Sequence, residues 1–210
     1  METLVVGCDA SGKSTFCEAV QLTWGDTMAE STRSEEASRF KREHHRSVID
    51  AELIDERERL YLKLSHQALI QAQTIEGNYI SSDSSLVTRL SHSAMRQVIT
   101  EPYLTNEEVI EAWQSDLEAA QSTPPDILVH THADAPVLLS RMRQRQATDS
   151  LEHFWGFNSP LFLDVYQKRW KEVIGILSHT SLDCVSLDTG TTSIEKCLVQ
   201  YGEARFSTIG

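Results

Sequence analysis

The sequence lacks long apolar runs, and no stretch approaches the ~20 residues that a membrane-spanning helix needs. No apolar leader precedes the first motif, and the four cysteines include no C-x-x-C pair. We therefore expect neither a membrane protein nor a secreted, disulfide-bonded one, and we expect a reducing, cytoplasmic setting.

Positive charge is also scarce, since the chain has 19 lysines and arginines but 31 aspartates and glutamates, which gives a net charge of −12. This excess repels the phosphate backbone of DNA and RNA, so polymeric nucleic acid is a disfavoured partner. Hydrophobic residues make up 40% and charged residues 24% of the chain, as in globular proteins. A chain of 210 residues fits one domain, which we place at 1–210.

Along the chain, short β-branched runs alternate with segments whose apolar residues have helical spacing. It predicts five core strands, near residues 3–7, 27–30, 78–83, 126–132 and 184–188. This alternation predicts an α/β fold of three layers, in which helices flank a central, mainly parallel five-stranded sheet.

Helix signals are of uneven strength along the chain. The longest helical pattern covers 51–74, and Thr105 is the predicted N-cap of a helix over 106–121. The polar segment 25–47 opens with the weak second strand and continues as either a charged helix or a mobile segment.

The most specific motif lies between the first strand and the first helix. Residues 7–14 satisfy G-x-x-x-x-G-K-[ST] at every fixed position. Glycines let the backbone curl until its amides converge on phosphate oxygens at the positive end of the following helix. Lys13 then reaches the β- and γ-phosphates, and the Ser14 hydroxyl ligates magnesium. We therefore expect ATP and Mg²⁺ as cofactors, bound by Gly7, Asp9, Ala10, Ser11, Gly12, Lys13, Ser14 and Thr15.

The same loop resembles that of the thymidylate kinase branch of nucleoside monophosphate kinases, which reads G-x-D-G-x-G-K-[ST]-T. Asp9 matches the aspartate, and Ala10 replaces the inner glycine. The resemblance implies a P-loop kinase with a helical lid, and it places Asp9 near the acceptor's sugar hydroxyl or the metal shell.

The resemblance also implies residues for the acceptor. Arg33 stands in a Thr-Arg segment like the one that grips the acceptor phosphate in that family, although the family's proline is missing. Asp83 keeps the aspartate at the end of the third strand, as an acidic partner to the metal or the acceptor, but Ser84 replaces the arginine that follows it. Arg89, six residues after Asp83, is a candidate for the missing positive charge.

A basic segment at 141–145 stands where the family has its lid, which we place at about 141–158. Arg141 and Arg145 are four residues apart and share one helix face, so two guanidiniums can meet one triphosphate. With Lys13, Asp9 and Asp83 they complete the predicted catalytic set. In such folds the loop 189–192 touches the adenine.

His130 and His132 share one face of the fourth strand, an arrangement that also occurs in metal sites. Two ligands do not make a site, and no third His or Cys has a convincing spacing to them. We therefore expect the metal to be held at Ser14 and not at these histidines.

The predicted function is ATP- and Mg-dependent phosphoryl transfer to a nucleotide, with a pyrimidine deoxynucleoside monophosphate as the favoured acceptor. Because Ser84 replaces the arginine that follows the aspartate in the family's pattern, other acceptors remain as alternatives. These are a nucleoside, a modified pyrimidine or another small hydroxylated metabolite. A nucleotide-binding protein without efficient transfer is also possible. The resemblance implies a homodimer, and the helix over 51–74 either forms its interface or packs in the core.

Overall fold

A computed structural model describes residues 1–29, 35–44, 50–82, 84–148 and 159–209. Side chains are described for the same residues except 146–148 and 209. The predicted site residues Arg33 and Asp83, and the part of the predicted lid over 149–158, lie outside these ranges.

The centre of the fold is a five-stranded sheet in which every pairing is parallel. Its strands overlap the segments predicted from the sequence: β1 Glu2–Val6, β2 Thr27–Met28, β3 Tyr79–Ser81, β4 Ile127–His132 and β5 Asp183–Asp188. Their order in space is β2-β3-β1-β4-β5. The carboxyl ends of all five strands therefore meet at one edge, where open α/β sheets bind ligands.

Helices cover both faces of the sheet. Within the described ranges they are α1 Lys13–Trp24, α2 Glu35–His44, α3 Ala51–Ala72, α4 Ser85–Val98, α5 Asn106–Ala119, α6 Ala135–Thr148, α7 Pro160–Leu177 and α8 Ile194–Ile209. The polar segment after β2, for which the sequence left helix and mobile segment open, contains α2. Among the described residues, no helix combines the length and the apolar character needed to cross a bilayer.

Several helix starts are fixed by side-chain caps. The Thr105 hydroxyl accepts a hydrogen bond from the Glu108 amide, and the Glu108 carboxylate accepts one from the Thr105 amide. This capping box confirms Thr105 as the N-cap of α5. Ser159 caps α7 ahead of Pro160, a residue suited to a first helical position because its missing N–H would have no partner there.

The two largest core clusters of the described residues lie on opposite sides of the sheet. Leu4 and Val6 of β1 join a cluster with α4, α5 and α7, whereas Val5 points to the opposite face and packs with α1 and α8. This alternation follows from the two-residue period of a strand. The predicted three-layer α/β fold with a parallel five-stranded sheet is confirmed.

A buried ion pair joins the last helix to the start of β2. The guanidinium of Arg205 donates to both carboxylate oxygens of Asp26, at 2.5 and 2.8 Å. Their side chains are only 6% and 1% exposed. Arg205 also lies over the Trp24 ring and donates to the Tyr201 hydroxyl. This contact fixes α8 against α1, the helix that follows the glycine loop.

Candidate functional site

The loop after β1 closes tightly against β4. Gly7 has φ 142°, and a Cβ placed on it would lie 2.2 Å from the Thr131 carbonyl oxygen. A side chain at this position is excluded, so glycine is required by steric contact as well as by backbone angle. The Ser11 hydroxyl is 2.8 Å from the Thr131 hydroxyl and so ties the loop to the same strand.

Lys13 lies across the loop at the start of α1. Its ammonium donates to the carbonyl oxygens of Gly7, at 2.9 Å, and Cys8, at 2.8 Å. The N-cap of α1 is Gly12 in the left-handed conformation, and within the described part of the chain no side chain caps this end. The positive end of α1 and one ammonium therefore face the same concave loop.

These groups fit the polyphosphate of a nucleoside triphosphate. The first amides of a helix have no intrahelical acceptor, and phosphate oxygens can supply one. Ser14 lies in the first turn of α1, next to the loop, and its hydroxyl oxygen together with phosphate oxygens would be a suitable donor set for Mg²⁺. Over the described ranges, His, Cys, Asp and Glu side chains form no group of three or more suited to a metal ion.

A second wall is built by the loop after β5. The Thr189 amide donates to the His132 carbonyl at 2.8 Å, and its hydroxyl oxygen lies 2.7 Å from the carbonyl oxygen of Ser11. Arg141 on α6 joins the two loops, because its guanidinium donates to the carbonyl oxygens of Ala10, at 3.1 Å, and Thr189, at 2.6 Å. The arrangement links the glycine loop, α6 and the β5–α8 loop.

Between these walls is an open cavity of about 500 Å³, within the range of small-molecule sites. Arg141, Gln144 and Arg145 line it from α6, and Thr192, Ile194 and Cys197 line it from the opposite side. Both lid arginines predicted from the sequence thus lie at one cavity beside the glycine loop. The cavity is large enough for the base and sugar of a nucleotide whose phosphates lie in the loop.

Aromatic side chains of α7 support the other side of the loop. The His130 ring stacks on Trp170 with centroids 5.8 Å apart, and Trp170 lies 6.0 Å from Tyr166. Trp170 is fully buried and Tyr166 nearly so. The sequence assigned this aromatic helix to packing, and it does pack, directly against the strand that carries the loop's contacts.

Burial keeps His130 neutral. Desolvation, aided by His132, Lys13 and Lys171, lowers the pKa of His130 to about 3 from its ordinary 6.5. The unfolded chain takes up a proton here as pH falls below about 6.5, whereas the folded chain does not until about pH 3. The stability contributed by neutral His130 is therefore present above pH 6.5 and is lost progressively toward pH 3.

We expect the stability of a His130→Phe variant to depend less steeply on pH than that of the parent between pH 6.5 and pH 4. The substitution removes one proton-linked group and keeps an aromatic ring against Trp170. Melting temperatures by circular dichroism across this range measure the difference in slope. The exposed His179, changed to Asn, is the matched control and should leave the slope unchanged. Equal slopes for parent and His130→Phe would contradict the prediction.

Two other predicted site residues, Asp9 and Arg89, do not line this cavity. Asp9 is exposed on the loop. Arg89 forms a bidentate ion pair with Asp116, both contacts at 2.8 Å, between α4 and α5. This carboxylate, as hydrogen-bond acceptor, raises the pKa of Arg89. The positive charge of Arg89 is thus already matched by a partly buried carboxylate.

Two residues of the site were not identified from the sequence. Thr131 contacts both Gly7 and Ser11, yet nothing in the strand pattern distinguishes it from its neighbours. Thr189 belongs to a loop that the family resemblance assigned to the adenine, but its role as a hub for Arg141 and the glycine loop depends on tertiary contacts.

No family model matches the sequence, and the search of curated proteins found no match. Solved structures are similar in fold. A deoxyadenosine kinase from M. mycoides with bound dATP has a TM-score of 0.70 at 15% identity, over 97% of this chain and 98% of that one. The same enzyme with products dCMP and dCDP has a TM-score of 0.72 at 14% identity, over 99% and 100%.

A third similar structure is the YorR protein from Bacillus subtilis in complex with phosphorylated GDP. Its TM-score is 0.50 at 19% identity, over 99% of this chain and 98% of that one. At identities this low, the structural similarity shows the fold alone, which is that of P-loop kinases.

Proposed function

We propose that the protein transfers the γ-phosphoryl group of ATP, with Mg²⁺, to a nucleotide, and that the favoured acceptor is a pyrimidine deoxynucleoside monophosphate. The observation that carries this proposal is the concave loop formed by Gly7, the uncapped start of α1 and Lys13, beside a cavity that fits a nucleotide. In this proposal the chain acts as one kinase domain.

Each part of the donor site has a role in this proposal. Lys13 exchanges its bonds to two loop carbonyls for the β- and γ-phosphates, and Ser14 holds Mg²⁺, which neutralises charge on the phosphates. Arg141 and Arg145 stabilise the transferring group from α6. Such a site accelerates transfer by positioning and electrostatics and makes no covalent intermediate.

The acceptor side rests on the thymidylate kinase resemblance. Arg33 is proposed to contact the acceptor, Asp83 the acceptor or the metal, and Asp9 the acceptor's sugar hydroxyl or the metal shell. Arg89 remains a candidate only if it exchanges its bidentate pair with Asp116 for the acceptor. The same resemblance supports a homodimer, in which α3 either forms the interface or packs in the core. The proposed cytoplasmic setting is supported by the four cysteines, which include no C-x-x-C pair.

A nucleoside is the second candidate acceptor. Two of the similar folds belong to a deoxyadenosine kinase, and Ser84 occupies the position of the arginine expected in the thymidylate kinase pattern. These observations favour a nucleoside over a modified pyrimidine or another small hydroxylated metabolite.

Transfer from radiolabelled ATP to a panel of nucleosides and nucleoside monophosphates tests the proposal. We expect the label on pyrimidine deoxynucleoside monophosphates, and only in the presence of Mg²⁺. Label on unphosphorylated nucleosides alone would reject the favoured acceptor and keep the kinase. Binding of ATP without transfer to any acceptor would reject the kinase altogether.

A further inference from the structure

A threonine outside the glycine loop holds one of the loop's peptide groups. The Thr189 hydroxyl lies 2.7 Å from the carbonyl oxygen of Ser11 and 3.0 Å from that of His132. A hydroxyl has one proton to donate. The His132 carbonyl already accepts from the Thr189 amide at 2.8 Å, and the contact with Ser11 is the shorter one, so we assign the hydroxyl proton to Ser11. The Ser11 carbonyl is therefore bonded on the Thr189 side of the loop.

The same hydroxyl oxygen also accepts a hydrogen bond. Arg141 on α6 donates from Nη1 to the Thr189 hydroxyl and to the Ala10 carbonyl, both at 3.1 Å, and from Nη2 to the Thr189 carbonyl at 2.6 Å. A hydroxyl that accepts from a guanidinium is a stronger donor, because hydrogen bonds in a chain polarise one another. The contact with Arg141 thus strengthens the bond from Thr189 to Ser11.

The backbone that carries Thr189 is itself fixed. β4 and β5 pair as far as His132 and Asp188, and Thr189 follows directly. The Asp188 carboxylate accepts from the Gly190 amide at 2.8 Å and from the Thr191 hydroxyl at 2.6 Å, which closes the first turn of the loop. Thr189 is thus positioned by the sheet and by this turn, independently of the glycine loop that it contacts.

The bond at Ser11 determines where the next amide points. The peptide bond between Ser11 and Gly12 is trans and planar, so the Gly12 N–H points away from the Ser11 carbonyl and from Thr189. Gly12 is the N-cap of α1 with φ 90°, and glycine tolerates either sign of φ, so local sterics alone do not fix this peptide. Thr189 also packs on Gly12, since a Cβ placed there would lie 3.4 Å from Thr189 Cγ2. One side chain therefore selects the orientation of an amide at the positive end of α1.

We propose that Thr189 is a positioning residue of the phosphate site, whose hydroxyl turns the Gly12 amide toward the phosphates of a bound nucleoside triphosphate. This inference rests on the proposed function, because it takes the glycine loop to bind ATP. The first amides of a helix have no acceptor within the helix, and they bind phosphate oxygens when they point at them. Thr189 also lines the donor cavity, so the test has to separate a role at the phosphates from one at the base or sugar.

Isothermal titration of the full chain with Mg·ATP and with the magnesium complex of inorganic tripolyphosphate separates these roles, because tripolyphosphate has neither base nor sugar. Thr189→Val keeps the shape of the side chain and removes the hydroxyl. We expect it to raise both dissociation constants by the same factor, about 10- to 100-fold, the range for losing a hydrogen bond to a charged group. Thr189→Ser keeps the hydroxyl and should recover most of the loss for both ligands.

Thr23→Val is the matched control for Thr189→Val. It makes the same chemical change at an exposed residue of α1, whose hydroxyl donates to the Ala19 carbonyl of its own helix, and it should change neither dissociation constant. Melting temperatures of all three variants are measured beside the titrations. A merely structural role would lower the melting temperature of Thr189→Val and leave the dissociation constants of the folded protein unchanged.

The outcomes distinguish this inference from the proposed function. If the parent binds both ligands and Thr189→Val binds them as tightly, the inference is overturned and the proposed function stands. Weaker binding of Mg·ATP alone by Thr189→Val, or binding of Mg·ATP but not of millimolar tripolyphosphate by the parent, also overturns the inference. If the parent binds both ligands but transfers no phosphoryl group, the proposed function fails, while equal weakening in Thr189→Val still supports the inference. A parent that binds neither ligand overturns both.

Discussion

A Lys13→Ala variant is expected to lose phosphoryl transfer by at least about 100-fold, the scale seen when one preorganised charge-stabilising donor is removed. The Lys13 ammonium is the cation in the glycine loop, and it lies within reach of two loop carbonyls that it can leave for phosphate. Steady-state transfer from ATP, with saturating Mg²⁺, measures the loss.

Lys168→Ala is the matched control for this substitution. Its side chain is 78% exposed and pairs with Glu172 one turn away on α7, a contact worth little in water. We expect parent-like turnover from it. Because Lys13 also holds the loop carbonyls, thermal unfolding should be followed for both variants. A Lys13→Ala protein that is folded and fully active would contradict the donor site described above.

An Arg205→Met variant is expected to lose about 3–5 kcal/mol of unfolding free energy, because it leaves a buried carboxylate without its partner. Asp26 is 1% exposed and accepts from Arg205 through both oxygens. For a chain of this size, that loss lowers the melting temperature by about 10 °C. Denaturant unfolding and calorimetry measure the two quantities.

The effect of Arg205→Met belongs to the buried pair and not to ion pairs in general. Lys63→Ala removes an exposed pair with Glu36, whose side chains are 54% and 38% exposed, and should cost less than about 1 kcal/mol. An Asp26→Leu, Arg205→Met double variant should regain part of the loss, since no charge is then left buried. A single variant as stable as the parent would contradict this account of how α8 is held.

The fold was largely predictable because local patterns and tertiary packing agree. Leu4, Val5 and Val6 form a β-branched and aliphatic run, and their side chains are buried on both faces of the parallel sheet. Such a run predicts a strand. The sequence predicts Thr105 as the N-cap of α5, and in the structure Thr105 forms a capping box with Glu108. The strand order β2-β3-β1-β4-β5 was not predictable, because it depends on long-range pairing.

The glycine loop of the candidate site could be recognised in the sequence for a different reason. The loop motif 7–14 is contiguous, so the residues proposed to surround the phosphates are neighbours in the sequence. Thr131 contacts this loop from a distant strand, and only the fold brings the two together.

The polar contact between α3 and α4 could not be predicted from the sequence. Arg57 stands among charged residues typical of a solvated helix face, and His92 lies in a helix without a motif. Arg57 Nη1 lies 2.7 Å from His92 Nε2 in the structure. This contact requires α3 and α4 to pack in one register, which no local sequence pattern encodes. Arg89, the candidate chosen from spacing after Asp83, is instead bonded to Asp116 on α5.

Isothermal titration of the parent protein with Mg·ATP tests the central claim, that the loop at 7–14 binds a nucleoside triphosphate. We expect saturable binding of one ATP per chain with a Kd below about 1 mM, the upper end of ordinary enzyme–substrate affinities. Absence of heat and of saturable binding at millimolar Mg·ATP would contradict the account, whatever the acceptor.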